Sequence, residues 1–240
     1  MSYNPKYDAS IHQPDFLPWL GFFNKIFQVR KFIVFDNVQL TQGKSWTSRV
    51  KILMNGQEHW ITMPVMKKKR SGQKIYETEM IDPERAWGKT IKTFRNSYSK
   101  APFSKEVISF LEEEVKVETN LLSDFNLNFI EKMTRRLGNE ELEILKCSDF
   151  DQLKASENVQ TDLIVEVCAF FEVEKYISGT GCLSFLEEEK FKQSNVAISF
   201  QNYDHPTYKQ AGTDSFMPGL SIIDSLMNVG FDGVSRILLK

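Results

Sequence analysis

Two of the three histidines in the chain, His12 and His205, stand in polar segments that directly follow apolar ones. Histidine titrates near neutral pH, so either ring could act as a general acid or base. Gln13 and Pro14 follow His12, and Pro18 is well placed to begin a helix, whose free backbone N–H groups can hold an anion. We therefore predict a functional site around His12 and Gln13, although a histidine at such a turn can also be structural.

Asp36 follows the apolar segment 32–35. A carboxylate in that position must either be paired or face a cleft, because burying an unpaired charge is costly. In a cleft, Asp36 could take up a proton, hold a metal ion or accept a hydrogen bond from a sugar hydroxyl. The alternative is that it only caps a loop. His12, His205 and Asp36 show no spacing typical of metal ligands, so we predict no metal site.

A glycine-rich turn formed by Ser178, Gly179, Thr180 and Gly181 follows the apolar pair 176–177. Such a turn between a strand and a helix can let a phosphate approach the backbone closely. It lacks the lysine of a P-loop and the full spacing of a dinucleotide-binding motif. The segment therefore predicts either a phosphate-binding turn or an ordinary tight turn.

A basic and aromatic group precedes a predicted β-hairpin at 47–64. Arg49 offers two parallel donors to a phosphate or carboxylate, Lys44 adds a second cation, and Trp46 offers a stacking face for a base or sugar. The alternative is a surface arginine beside a core tryptophan.

The segment 203–210 concentrates rings and amides after the last predicted strand. Tyr203, His205 and Tyr208 stand in this segment, which we predict to be a loop, where binding and catalytic residues are often found. We expect His12 and His205 to face the same cleft, because both would follow parallel strands at their carboxyl ends.

The pattern of the whole chain predicts an α/β fold. The strand, helix and strand within 9–36 indicate a parallel pair, and the last hundred residues alternate between helix and strand. We predict a Rossmann-like parallel or mixed sheet flanked by helices, with the β-hairpin and a helical insertion at 82–137. Residues 1–240 are expected to form one domain. We also expect helices at 183–193 and 221–227, and a strand at 32–36.

Composition and charge exclude several classes of function. Thirty basic and 32 acidic residues give a net charge of −2, so the chain has no basic field suited to nucleic acid. The three cysteines are widely spaced and are expected to be reduced. We find neither a signal peptide nor an apolar segment of membrane-spanning length, and so predict a cytoplasmic protein without membrane insertion. The sequence leaves homo-oligomer formation open.

Residues 11–23, which read IHQPDFLPWLGFF, resemble the opening segment of the WbqC-like protein family. The resemblance continues, in order, through residues 36–39, 46, 49, 60–65, 87, 98, 101–102, 176–179, 201–210 and 218–224. Two positions depart from the family pattern. Ser48 stands where the family often has asparagine, and Cys182 stands where it often has a small residue, which puts the finer ligand contacts in doubt.

The resemblance implies a role in bacterial O-antigen or surface-polysaccharide biosynthesis. The implied activity is a transferase that moves an acyl or aminoacyl group, such as glycyl, onto the amine of a nucleotide-linked amino sugar. His12 or His205 would take the proton of the amine, Arg49 would face an anionic group, and Trp19 or Trp46 would stack on a ring. If a free amino acid is the donor, ATP must activate it, and the turn at 178–181 would hold the phosphates.

Two other classes of function stay open at this point. The first is a nucleotidyl- or glycosyltransferase on the same Rossmann-like scaffold, which a divalent metal beside Asp36 would favour. The second is a non-catalytic protein that binds a sugar nucleotide. Fold alone does not distinguish them.

Overall fold

The structure, a computed structural model, describes residues 3–41, 43, 45–67 and 72–239. Its strands are β1 (Tyr7–His12), β2 (Val29–Val34), β3 (Arg49–Met54), β4 (Gln57–Thr62), β5 (Glu143–Lys146), β6 (Lys175–Ser178) and β7 (Ala197–Phe200). Its helices are α1 (Leu20–Ile26), α2 (Pro83–Ser97), α3 (Ser104–Glu113), α4 (Leu122–Arg136), α5 (Asp151–Lys154), α6 (Gln160–Phe170), α7 (Glu188–Gln193) and α8 (Ile222–Leu238).

Five strands form one parallel sheet in the order β5-β2-β1-β6-β7. The chain builds this sheet outward from β1 in one direction and then returns to add β6 and β7 on the other side. The order therefore reverses between β1 and β6, and in open parallel sheets ligands bind outside the carboxyl ends of the strands at such a switch point. The predicted α/β class with a parallel sheet is confirmed.

The β-hairpin is separate from this sheet. Strands β3 and β4 pair antiparallel around Asn55 and Gly56, which both have positive φ angles, of 53° and 74°. Asparagine and glycine adopt this conformation more readily than other residues, which explains the tight two-residue turn. The predicted hairpin is confirmed.

Helices cover both faces of the sheet, as the apolar strands require. On one face, Phe32 and Val34 of β2 pack into a core with residues of α1, α4 and α8. On the other face, Ile11 of β1 and Ile33 of β2 pack with residues of α6 and α7. Strands buried on both faces read as continuous apolar segments, which is how the second half of β2, residues 32–34, appears in the sequence.

Three element boundaries differ from the sequence prediction. Strand β2 begins at Val29 and ends at Val34, so Asp36 lies beyond it. Helix α7 begins only at Glu188, because Thr180–Cys182 forms a 3₁₀ turn and the Glu187 N–H bonds the Thr161 hydroxyl. These contacts hold the segment between the turn and α7 outside a helix.

The last helix is much longer than predicted, and it bends. Gly230 has φ 72° and ψ 173° inside α8, and a Cβ at this position would lie 2.7 Å from the Phe103 ring. Glycine is therefore required here both by its backbone and by the close approach of the ring. Within the described residues, no helix is long and apolar enough to cross a membrane.

Candidate functional site

The switch point brings His12 and Ser178 to the same edge of the sheet. Ala9 of β1 pairs with Tyr176 of β6, and His12 and Ser178 are the last residues of these two strands. Helix α1 packs beside this edge, since Gln201 beyond β7 donates a hydrogen bond to the Gly21 carbonyl. The edge is where the sheet topology predicts a ligand.

Lys25 of α1 places a buried cation at this edge. It is 2% exposed, and its Nζ lies 3.7 Å from the position that a Cβ would occupy on Gly179. No hydrogen bond or ion pair joins Nζ to any residue that the structure describes. Burial lowers the pKa of Lys25 to about 8, and the nearby Cys182 and Asp15 only partly oppose this effect.

His12 is held as a neutral imidazole. Its Nδ1 lies 2.9 Å from the Gln13 carbonyl oxygen, and because a carbonyl can only accept, Nδ1 carries the hydrogen. This assignment leaves a free lone pair on Nε2. Burial and the charge of Lys25 lower the pKa of His12 to about 3, while a third of its side chain stays exposed (33%). The ring is therefore a proton acceptor at neutral pH.

Asp15 completes a group of ionisable side chains around Lys25. Its Oδ2 lies 3.9 Å from His12 Nδ1. Burial raises the pKa of Asp15 to about 7, and Lys25 opposes the rise. Asp15 and Lys25 therefore both exchange protons near neutral pH, beside a neutral imidazole. Groups with perturbed pKa values cluster at functional sites more often than elsewhere.

A cluster of aromatic rings lies at the start of α1, where Trp19 directly precedes the helix. The Trp19 ring stacks against His205, with centroids 6.2 Å apart, and contacts the edge of Tyr203 at 5.4 Å. The Tyr203 hydroxyl is buried and bonds no residue in the described part of the chain. Nδ1 of His205 lies 3.0 Å from the Pro206 carbonyl oxygen, and burial lowers the pKa of this histidine too. Its Nε2 is therefore also a free acceptor.

Asp224 of α8 anchors the loop at 203–210. Its Oδ2 accepts hydrogen bonds from the Tyr208 hydroxyl and from Gln210 Nε2, both at 2.8 Å. The carboxyl group is fully buried, and burial raises its pKa. Tyr208 is thus tied to the core while its ring contacts His205, with centroids 6.3 Å apart. This arrangement fixes the position of His205.

The entrance to the hairpin lies on the other side of the His12 loop. Thr47 donates a hydrogen bond to Gln13 Oε1 at 3.2 Å. The Arg49 guanidinium lies 3.9 Å above the centre of the Trp60 ring, and its Nε is buried and bonds no described residue. Trp46 is 46% exposed. Lys44, the remaining member of the predicted group, lies outside the described residues.

Asp36 is not part of the group around Lys25. It is fully buried and accepts hydrogen bonds from Ser123 and from the hydroxyl and backbone N–H of Ser148. Asp36 is therefore paired by hydrogen bonds to distant segments of the chain, as a buried carboxylate must be. A catalytic role for Asp36 stays a prediction.

The glycine-rich turn lies where the sequence predicts it, at the end of β6. Ser178 is fully buried, and its hydroxyl lies 3.3 Å from the Gly179 carbonyl oxygen. A Cβ on Gly181 would meet no atom within 4 Å. The turn therefore has Lys25 on one side, at Gly179, and open space at Gly181.

Sequence reasoning missed Lys25, Asp15 and Asp224 as site residues. Lys25 carries a detectable signal, because it is a charged residue surrounded by Phe22, Phe23, Ile26 and Phe27 on a short apolar helix. A cation in such a stretch must be buried or must reach a cleft. Asp15 and Asp224 give no comparable signal, because their burial depends on contacts between distant segments.

The clefts with the largest volumes lie elsewhere on the described surface. One of about 540 Å³ lies between the hairpin and α2, and another of about 560 Å³ lies between α3 and α4. Neither is lined by the residues around Lys25. In the described part of the chain, no three His, Cys, Asp or Glu residues are grouped so that they could hold a metal ion.

Comparison with known proteins gives a family but no activity. The sequence model of the WbqC-like protein family matches residues 13–236. The uncharacterized protein Rv1507c of Mycobacterium tuberculosis (strain ATCC 25618 / H37Rv) is 31% identical over 231 residues, with 92% of this chain and 94% of that protein covered. No solved structure matches the chain. Because the match spans both the loop at 13–19 and the loop at 203–210, the chain belongs to the WbqC-like protein family.

Proposed function

We propose that this protein is a transferase of bacterial O-antigen or surface-polysaccharide biosynthesis. It would move an acyl or aminoacyl group, such as glycyl, onto the amine of a nucleotide-linked amino sugar. The sequence resemblance suggests this activity. The observation that supports it most is the neutral His12 imidazole at the carboxyl end of β1, beside the sheet's switch point.

Transfer to an amine requires a proton acceptor in this position. The amine nitrogen attacks the acyl carbon, the bond to the donor's leaving group breaks, and the leaving group departs with the electron pair. The attacking nitrogen must lose a proton, which Nε2 of His12 or of His205 can accept. With a pKa of about 3, His12 would pass the proton on, and Asp15, with a pKa of about 7, is the adjacent acceptor.

The aromatic side chains on both sides of the His12 loop are suited to a nucleotide-linked sugar. On one side, Trp19 and Tyr203 contribute aromatic rings. On the other side, Trp46 is exposed, and the guanidinium group of Arg49 could donate to a phosphate. A base or sugar would stack on one of the tryptophans.

The donor would occupy the turn at 178–181. If the donor is a free amino acid, ATP must activate it, and the phosphates would lie against this glycine-containing backbone beside Lys25. If the donor is already activated, for example as a thioester, no nucleotide is needed there. The two donor types therefore differ in whether ATP is consumed.

A transfer assay tests the proposal. The purified protein is incubated with a nucleotide-linked 4-amino-4,6-dideoxy sugar and either glycine with ATP or acetyl-coenzyme A, and the products are read by mass spectrometry. We expect a mass increase on the sugar nucleotide with one donor. Cleavage of the sugar nucleotide without acylation would instead favour a nucleotidyl- or glycosyltransferase. Binding of the sugar nucleotide without turnover of either donor would indicate a non-catalytic protein.

A further inference from the structure

We propose that Lys25 binds an anionic group of the ligand, a phosphate or a carboxylate, beside Gly179 at the carboxyl ends of β1 and β6. This inference rests on the site proposed above and names the group that the site recognises. It is carried by three observations: the burial of Lys25, the absence of a bonding partner for its Nζ among the described residues, and its position beside Gly179.

An unpaired buried ammonium group is unfavourable in the free protein. Removing an ion from water costs several kcal/mol unless a partner of opposite charge and further hydrogen bonds replace the water. Lys25 is 2% exposed, yet no acceptor or carboxylate in the described part of the chain bonds its Nζ. The nearest opposing groups, Asp15 and Cys182, act on it only electrostatically. A bound anion would supply the missing partner.

The surroundings of Nζ fit an incoming anion. Gly179 lacks a side chain where a Cβ would lie 3.7 Å from Nζ, so the backbone turn leaves this side of the ammonium group open. His12 adds no charge, because its pKa is about 3 and its ring is neutral. Asp15, with a pKa of about 7, can take up a proton and so cease to repel the anion.

The chemistry of the site favours phosphate or carboxylate over a metal ion. A protonated lysine repels cations, and its three donors suit the oxygens of an anion. Both kinds of anion occur in the proposed reaction, as the phosphates of a nucleotide and as the carboxylate of an amino acid. They share the recognition chemistry, so the experiment must separate them.

Calorimetric titration with inorganic pyrophosphate and, separately, with glycine tests the proposal at fixed ionic strength. Four variants accompany the unmodified protein. Lys25→Met removes the charge, and Gly179→Ala places a methyl group against Nζ. Lys192→Met and Gly88→Ala are the matched controls, because Lys192 is an exposed surface lysine and a Cβ at Gly88 meets no atom within 4 Å.

We expect at least one of the two anions to bind, with its affinity reduced at least tenfold in Lys25→Met, clearly reduced in Gly179→Ala, and unchanged in both controls. Binding of pyrophosphate would assign the site to phosphate, and binding of glycine alone would assign it to carboxylate. The unliganded Lys25→Met variant should melt at or above the temperature of the unmodified protein, because it removes an uncompensated charge. A variant that unfolds at much lower temperature would mean that Lys25 is structural.

Equal anion affinities in Lys25→Met and the unmodified protein would overturn the inference, and so would the absence of binding by either anion. The proposed function fails separately. If an anion binds through Lys25 but no acyl group is transferred to any sugar nucleotide, the anion site stands and the transferase activity is wrong.

Discussion

The Trp19 ring stacks on His205, with ring centroids 6.2 Å apart and planes inclined by 26°. This contact joins the loop after the first strand to the loop after the last one. Because Trp19 follows His12 closely in sequence, the two histidines lie on loops that share this aromatic contact.

Substitution of Gly21 should displace Trp19. A Cβ at this position would lie 2.2 Å from the Trp19 ring, which is the outer end of a side chain that can rotate away. We therefore expect Gly21→Ala to fold, to shift the tryptophan fluorescence, and to bind a nucleotide-linked amino sugar at least tenfold more weakly. Fluorescence and calorimetry measure the two effects. Gly88→Ala, which introduces the same methyl group in open space, should leave both unchanged; unaltered sugar binding in Gly21→Ala would exclude Trp19 from the site.

Loss of the His12 side chain should abolish transfer with little loss of stability. The ring bonds its neighbouring carbonyl, packs edge-on against the Phe22 ring with centroids 5.1 Å apart, and keeps a third of its surface exposed, so its loss removes few contacts. We expect His12→Ala to melt within a few degrees of the unmodified protein and to show no measurable turnover. His59→Ala, on the exposed side of the hairpin, is the control and should retain activity. A large drop in melting temperature would make His12 a structural residue, since a buried group left unbonded costs about 1–3 kcal/mol.

The hydrogen bond between Tyr208 and Asp224 should contribute to stability. The hydroxyl donates to a fully buried carboxylate at 2.8 Å, and bonds to charged groups contribute more than neutral ones. We expect Tyr208→Phe to lower the free energy of unfolding by about 1–3 kcal/mol, as measured by urea denaturation. The variant should also loosen His205, which amide hydrogen exchange in residues 203–210 would reveal. Unchanged stability and exchange would show that Asp224 does not anchor this loop.

The buried Lys25 should make stability depend on pH in the alkaline range. Its pKa is about 8 in the folded protein and 10.5 in an unfolded chain, so between these values the unfolded state binds more protons. Stability should therefore rise with pH across this window, by on the order of 3 kcal/mol from Lys25.

Comparison with Lys25→Met removes the contributions of groups that Lys25 does not influence, because these titrate equally in both proteins. Asp15 is the exception, since the charge of Lys25 holds down its pKa, and the loss of this charge lowers the slope of the variant further. Urea unfolding at several pH values between 8 and 10.5 gives, for each protein, the slope of the free energy of unfolding against pH. The slope of the variant should lack the part due to Lys25. If the free energies of unfolding of the two proteins changed with pH in the same way, the lysine would not be held as a buried cation. The lowered pKa of His12 acts in the acidic range, where its own contribution to stability falls as the pH drops from 6.5 towards 3, whereas the raised pKa of Asp15 acts in the opposite direction between 7 and 3.8.

Arg49 should bind an anionic part of the nucleotide-linked substrate through its planar donors. Lysine keeps the charge but not the two parallel bonds, and it stacks less well on Trp60. We expect Arg49→Lys to weaken binding about tenfold and Arg49→Ala to weaken it further. Calorimetry with one ligand at one ionic strength compares the three proteins, because salt screens exposed charges. Equal affinities would place Arg49 outside the site, in a purely structural stack on Trp60.

The parallel sheet was predictable because its strands are short apolar segments separated by helical ones. The hairpin was predictable from Asn55 and Gly56, which permit the positive φ angles of a two-residue turn. The late start of α7 was not predictable from the sequence, because it depends on a hydrogen bond between Glu187 and the distant Thr161. Local patterns do not contain such contacts.

The candidate site was predictable only in part for the same reason. His12 ends β1 and Gly179 follows β6, so their common edge follows from the parallel order of the strands. The role of Lys25 depends instead on burial against a strand end that is far away in sequence. The solvation of an ionisable group is a property of the folded chain, which explains why Asp15 and Lys25 were overlooked.

In the proposed function, the ligand binds at the carboxyl ends of β1 and β6. A crystal structure with a nucleotide-linked 4-amino-4,6-dideoxy sugar tests it most directly. We predict that the sugar amine lies within hydrogen-bonding distance of Nε2 of His12 or His205, with a tryptophan ring stacked on the ligand. A ligand seated instead in the cleft between the hairpin and α2, away from both histidines, would contradict the account.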